Sequence, residues 1–244
     1  MAGHSKWANI KHKKAREDAK KGKVFTRLIR ELTTAARAGG SDPNSNPRLR
    51  LAISKAQAEN MTRDTMERAI KRGAGELEGV QMEEIRYEGY GAGGVAIMVD
   101  CLTDNKNRTV GEVRHAFSKF NGNLGTSGSV AFQFTERGVI FFADNANEEK
   151  LMDLALEAGA EDFISDADGI EILTSPENYA PVYETLQQAG FTPDESEITM
   201  RADNLSPISA ADAEKVMKLI DRLEELDDVQ SVYNNADFPE DFAG

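Results

Sequence analysis

At Gly75 the charge of the chain and the spacing of its apolar residues change together. Residues 1–75 carry 18 Lys and Arg against 7 Asp and Glu, a net charge of +11, whereas the remaining 169 residues carry 11 against 35, a net charge of −24. Before Gly75 the apolar residues recur at helical spacing, and after it short strand-like runs alternate with helical ones. The sequence therefore predicts a basic helical domain followed by an acidic α+β region.

The basic region predicts three helices behind an N-terminal arm. Apolar residues at helical spacing predict a helix over about residues 23–38. Asn46 followed by Pro47 predicts the start of a second helix, because asparagine caps the free amides of a first turn and proline fits its first position. A third helix is predicted over about residues 62–73. These elements make a small helical bundle.

The first part of the acidic region predicts strands around a helix. Apolar runs predict strands at residues 84–88 and 95–103. A helix is predicted to begin at Thr109, where Glu112 would complete a capping box. The alternating apolar residues from Val130 to Phe134 predict a half-buried strand.

From Gly138 the predicted elements follow the βαββαβ order of a ferredoxin-like domain. A further helix and a strand follow at about residues 216–233, and they are too few to form a domain alone. The predicted fold is therefore α+β, with an N-terminal helical bundle domain followed by two ferredoxin-like α+β domains, one of them discontinuous. The predicted domains are 1–78 (basic arm and helical bundle, nucleic-acid-binding), 79–135 plus 206–244 (discontinuous α+β domain) and 136–205 (inserted ferredoxin-like domain).

Residue composition argues against several classes of protein. Cys101 is the only cysteine and there are three histidines, so an internal disulfide is excluded and few ligands remain for a structural zinc. We therefore expect no metal and no cofactor. Residues 89–94 match the letters of a dinucleotide fingerprint, but a strand rather than a helix follows them, which favours a hairpin or loop.

No catalytic set can be identified from the sequence. Pairs of acidic residues are expected by chance among the 35 carboxylates after Gly75, and no positioned His, Lys or Ser accompanies them. We expect the protein not to be an enzyme, and an unrecognised active site in the α+β region is the third and weakest of three hypotheses.

No run approaches the ~18 uncharged apolar residues of a membrane span, and the start lacks the apolar segment of a secretory signal. The expected location is the cytoplasm, with no membrane partner.

The arm is the strongest functional signal. Ten cations and two acidic residues lie within the first 30 residues, a density that favours binding to a phosphate backbone over a solvated run of charge. Trp7 either stacks on a base or anchors the arm against a domain. Arg48 and Arg50 either face the same polyanion or balance charges of the helices. The predicted nucleic-acid-binding residues are Lys6, Trp7, Lys11, Lys13, Lys14, Arg16, Lys20, Lys21, Lys23, Arg27, Arg30, Arg48 and Arg50.

Six segments distributed along the chain carry unusual motifs in a fixed order: residues 2–10, 40–50, 60–64, 87–91, 105–113 and 122–125. Together they resemble the YebC family, which includes the mitochondrial translational activator of cytochrome c oxidase. The resemblance implies one helical domain, two α+β domains and a role in gene expression. Bacterial members are described as DNA-binding transcriptional regulators, and others as ribosome-associated factors that support synthesis of proline-rich sequences.

Two functions therefore stand ahead of an enzyme. The first is a DNA-binding transcriptional regulator of the YebC type. The alternative is a translation factor that binds ribosomal RNA on the ribosome. Charge separates them poorly, because phosphates are alike in DNA and RNA, and no helix-turn-helix signature is present to favour sequence-specific DNA reading. The protein partners of the acidic domains stay open.

Overall fold

The computed structural model describes residues 21–75, 82–143, 147–166, 169–239 and 242. Its first unit contains helices α1 (Lys21–Gly39), α2 (Pro47–Ala58) and α3 (Arg63–Gly73). The predicted start of α2 is confirmed, because the Asn46 side chain accepts a hydrogen bond from the Leu49 amide. Thr62 caps α3 in the same way.

Helix α1 packs against both other helices around one core. The Asn46 side-chain amide donates to the carbonyls of Ala35 and Gly40, both at 2.8 Å, which holds the start of α2 at the end of α1. The Thr33 hydroxyl donates to the Ala69 carbonyl at 3.2 Å, and Gly73 lies against Thr33 as well. The last turns of α1 and α3 and the first turn of α2 therefore lie at one end of the unit.

The rest of the described chain alternates strands and helices. The first group is β1 (Glu83–Tyr90), β2 (Ala96–Thr103), α4 (Lys106–Lys119) and β3 (Asn123–Leu124). The second is β4 (Phe134–Phe142), α5 (Glu148–Glu157), β5 (Asp162–Asp166), β6 (Gly169–Thr174), α6 (Pro176–Gln188) and β7 (Glu195–Ala202). The third is β8 (Ser206–Pro207), α7 (Ala210–Glu224), β9 (Val229–Asn234) and β10 (Ala236–Asp237).

Two antiparallel sheets organise these elements, and β8 and β10 form a short parallel pair. One sheet has the order β3-β1-β2-β9, so a strand from near the end of the chain pairs with β2. The other has the order β5-β6-β4-β7 and is formed by the βαββαβ elements. The fold is α+β, as predicted. The division into three domains stays a prediction, and β4 spans its boundary between residues 135 and 136.

The predicted start of α4 at Thr109 is wrong. The helix begins three residues earlier, because the Asn105 side chain accepts a hydrogen bond from the Arg108 amide and so acts as the N-cap. The Thr109 hydroxyl instead donates to the carboxylate of Asp228 at 2.7 Å. A residue distant in the sequence, Asp228, therefore binds the hydroxyl that the local sequence pattern assigned to a helix cap.

The predicted half-buried strand from Val130 to Phe134 is also wrong. Residues 131–133 form a turn of 3-10 helix, and the Phe132 side chain is 74% exposed. The carboxylate of Glu88 accepts hydrogen bonds from the amides of Val130 and Ala131, which removes these amides from any strand ladder. Phe134 instead begins the long strand β4.

The contact between α1 and α3 requires glycine at position 73. A Cβ atom there would lie 2.1 Å from the Thr33 carbonyl oxygen and 2.9 Å from the Ala36 Cβ. We expect Gly73→Ala to lower the free energy of unfolding by about 1–3 kcal/mol, because the helices must separate. Gly111→Ala, at an exposed helical position with nothing within 4 Å, is the matched control and should raise stability by up to about 1 kcal/mol. Thermal unfolding of both variants measures the difference, and equal effects would contradict the close contact.

Candidate nucleic-acid interface

The predicted arm lies mostly outside the described residues. This holds for Lys6, Trp7, Lys11, Lys13, Lys14, Arg16 and Lys20. Lys21 and Lys23 belong to the first turn of α1, although their side chains lie outside the described part. The role of all these residues stays a prediction.

Arg27 and Arg30 lie where α1 meets the acidic region. Arg27 donates to the backbone carbonyl of Glu224, the last residue of α7. Arg30 donates to the Leu102 carbonyl at 3.3 Å and to the Asp228 carboxylate at 2.8 Å, and its side chain is 19% exposed. Both arginines thus donate hydrogen bonds to acceptors of the protein itself.

Asp228 is the centre of this contact. Its side chain is 1% exposed, and it pairs with Arg108 of α4 as well as with Arg30. The hydroxyls of Thr103 and Thr109 donate to the same carboxylate at 3.1 Å and 2.7 Å. Burial alone would raise the pKa of Asp228, but the bonds from Arg108 and Thr109 and the charge of Arg30 hold that pKa below its ordinary value. Asp228 is therefore a charged group at neutral pH.

Arg48 makes a second contact between the helices and the acidic region. It forms a two-bond pair with Glu31 of α1, at 2.7 Å and 3.0 Å, and it also pairs with Glu84 of β1. The hydrogen bond with Glu31 is the largest of the causes that raise the pKa of Arg48 above its ordinary value. Two carboxylates therefore already balance its charge.

Arg50 differs from Arg48 in its surroundings. Two residues apart correspond to about 200° around a helix, so Arg50 lies on the other side of α2. It is exposed and donates to the Pro43 carbonyl at 3.3 Å. No carboxylate of the described residues forms an ion pair with it.

Lys71 and Arg72 are two further exposed cations, which the sequence reasoning missed. They occupy the last turn of α3, and within the described ranges neither has a carboxylate partner. Earlier in the same helix, Arg63 and Arg68 pair with acidic residues one turn away. The signal was available, because the helical spacing that buries one side of α3 turns residues 71 and 72 outward.

Arg50, Lys71 and Arg72 lie at the same end of the helical unit, and we call them the cationic end. Cations in a last helical turn also stabilise the helix dipole, which is the purely structural role for Lys71 and Arg72. Helix α1 has 19 residues and is therefore about 28 Å long. The predicted arm precedes one end of α1, and the cationic end lies beside the other.

Other candidate features give no site among the described residues. Residues 92–94 form a 3-10 turn between two strands, which confirms the loop interpretation of the glycine motif. Burial raises the pKa of the Cys101 thiol to about 12, so this thiol is unreactive near neutral pH. The described part of the chain has no cluster of three metal-ligating side chains. It also has no helix that is long and apolar enough to cross a bilayer.

Comparison with known proteins identifies the family to which this chain belongs. Residues 5–76 match the TACO1/YebC protein N-terminal domain, and residues 82–236 match the TACO1/YebC second and third domain. A probable transcriptional regulatory protein of Dichelobacter nodosus is 75% identical over 244 residues, which cover 100% of both chains. One of Francisella tularensis subsp. novicida is 61% identical over 99% of this chain and 98% of its own.

A solved structure has the same overall fold. The crystal structure of a conserved hypothetical protein from Aquifex aeolicus superposes with a TM-score of 0.81 at 47% identity, over 94% of this chain and 96% of its own. The relatives that this chain matches over at least 98% of their own length are named as probable regulators of transcription. The chain is a member of the TACO1/YebC family, as the sequence motifs predicted.

Proposed function

We propose that this protein regulates gene expression by binding DNA through its N-terminal helical unit and arm. The observation that carries the proposal is the separation of charge, +11 over residues 1–75 against −24 over the rest. A basic surface binds phosphates and releases counterions, while the acidic region repels nucleic acid. The relatives named as probable transcriptional regulatory proteins support DNA as the ligand.

The proposed contact surface has two parts, the arm and the cationic end. The arm precedes the first residue of α1 in the sequence, and the cationic end lies beside the last turn of this 19-residue helix, which is about 28 Å long. One turn of duplex DNA is about 34 Å long, so α1 is nearly as long as one turn of the proposed ligand. The acidic α+β domains, one discontinuous and one an inserted ferredoxin-like domain in this proposal, do not contact the DNA, because the residues after Gly75 carry a net charge of −24.

Crosslinking in growing cells tests the ligand. Ultraviolet light would join the protein to its nucleic acid, and both the DNA and the RNA would be sequenced after denaturing purification. Discrete promoter fragments with background RNA support the proposal. Reads concentrated at a few positions of ribosomal RNA contradict it and establish a ribosome-associated translation factor instead.

Replacing Lys71 and Arg72 by alanine tests the cationic end. Each lost phosphate contact reduces the slope of log K against log salt by about 0.9, so the slope should fall by about 1.8. At ~0.15 M salt the same two contacts correspond to about 30-fold weaker binding. A salt titration with a 20-base-pair DNA duplex measures both quantities.

The control for this pair lies in the same helix. Arg63→Ala with Arg68→Ala also removes two cations from α3, but both arginines are paired with carboxylates in the folded protein. We expect this control to change the slope by less than half as much. Equal effects of the two double variants would show that net charge, not the cationic end, determines binding.

A further inference from the structure

A buried carboxylate joins the basic helices to the acidic region. Asp228 accepts hydrogen bonds from Arg30 of α1 at 2.8 Å and from Arg108 of α4 at 2.8 Å. The hydroxyls of Thr103 and Thr109 complete its surroundings. Because these partners come from different elements, a shift of α1 against the sheet breaks a bond to a buried charge. The arrangement fixes the position of α1.

The neighbouring backbone holds the same flank of α1. Arg27 and Arg30 lie one turn apart and therefore share a face of the helix. Arg27 donates to the Glu224 carbonyl at the end of α7, and Arg30 donates to the carbonyl of Asp227. Carbonyls at a helix C-terminus carry negative partial charge and favour cations. These contacts join one flank of α1 to the acidic region.

This attachment has an electrostatic consequence. The residues after Gly75 carry a net charge of −24. Exposed charges act on each other over a screening length of about 8 Å at physiological salt. If the acidic region could move freely, its carboxylates would come within that distance of the cationic end and compete there with phosphates.

We propose that Asp228 is a positioning residue for nucleic-acid binding. Together with the Arg48–Glu84 pair, it holds the acidic region against the Arg27 and Arg30 flank of α1 and keeps the other carboxylates of that region from Arg50, Lys71 and Arg72. The inference rests on the proposed function. In this proposal Arg30 is part of the attachment and not the phosphate ligand that the sequence predicted.

Asp228→Asn separates positioning from simple charge, because the two predict opposite signs. The substitution removes a negative charge, so electrostatics alone predicts tighter binding to DNA. Positioning predicts binding about 2- to 30-fold weaker, with the salt slope of the unmodified protein. Asp227→Asn is the matched control, since it makes the same change on the adjacent, exposed side chain and keeps the backbone carbonyl that Arg30 binds. It should leave binding unchanged or slightly tighter.

A distance measurement reports the attachment without DNA. Spin labels at Ser54→Cys on α2 and Ser118→Cys on α4 use exposed positions on the two sides of the contact. Cys101 is buried and stays unlabelled. The distribution of distances should broaden in Asp228→Asn and in Arg30→Gln, and it should stay narrow in Asp227→Asn.

The outcomes distinguish the two proposals. Binding that is unchanged or tighter in Asp228→Asn, or a distribution that stays narrow, overturns the positioning role. If Asp228→Asn does not fold, Arg30→Gln provides the test, since Asp228 keeps Arg108 as its partner. A slope reduced by about 0.9 in Arg30→Gln would identify Arg30 as a phosphate ligand and overturn the inference. Failure of the unmodified protein to bind duplex DNA at 50 mM salt overturns the proposed function itself, and the positioning role with it.

Discussion

Replacing Lys11, Lys13 and Lys14 by alanine is expected to weaken binding to duplex DNA about 100-fold at ~0.15 M salt. Three lost phosphate contacts should also reduce the salt slope by about 2.7. The reason is the local density of charge, since ten cations and two acidic residues stand in the first 30 positions. Fluorescence anisotropy of a labelled duplex over a range of salt concentrations measures both effects.

A control with the same change in net charge is available in the acidic region. Lys119, Lys150 and Lys218 are exposed on helices after Gly75, and alanine at these three positions also removes three cations. We expect this variant to bind DNA nearly as tightly as the unmodified protein, with the same slope. If the arm variant keeps its slope, the arm is not the contact surface, whatever the change in affinity.

Local sequence signals predicted the elements whose determinants are themselves local. The cap at Asn46 and the start of α3 depend on contacts within a few residues, and both predictions are confirmed. In the structure β9 pairs with β2, whereas the sequence indicated only that the helix and strand at the end of the chain need other elements to join. The order of apolar runs was sufficient for the α+β class.

The errors arose where a distant residue determines the local structure. Thr109 fits a helix cap by pattern, but Asp228 uses its hydroxyl. Phe132 fits a strand by alternation, but Glu88 binds the amides beside it. Arg30 belongs to the basic sequence of the arm, yet it has a buried partner 198 residues away. The spacing of residues in the sequence predicts helices and strands, but it does not show which distant residue a side chain contacts.

Glu88 is a buried carboxylate that binds the backbone amides of the turn before β4. Its side chain is 4% exposed, and its two carboxylate oxygens accept hydrogen bonds from the amides of Gly128, Val130 and Ala131 at 2.7–2.8 Å. Burial alone would raise the pKa of Glu88, but these three amides and the charge of Arg86 hold that pKa below its ordinary value. The charged carboxylate is thus the form that organises the turn before β4.

Glu88→Gln should lower the free energy of unfolding by about 2–4 kcal/mol at pH 7. The amide oxygen can still accept, but the amide nitrogen faces donors, and at least one buried backbone amide loses its partner. Urea unfolding measures the loss, and hydrogen exchange at the Val130 amide localises it. Glu136→Gln, at an exposed position on β4, changes the charge equally and should have little effect.

The same contact predicts the pH dependence of the difference between the two proteins. A carboxyl whose pKa is lower in the folded than in the unfolded protein stabilises the fold fully above its unfolded pKa, about 4.3 for glutamate. That contribution disappears as the pH falls through the folded pKa. The gap in unfolding free energy between the unmodified protein and Glu88→Gln should therefore be largest near pH 7 and shrink below pH ~4. A gap that stays constant from pH 7 to ~3 would show that shape, not the charge of Glu88, holds the turn.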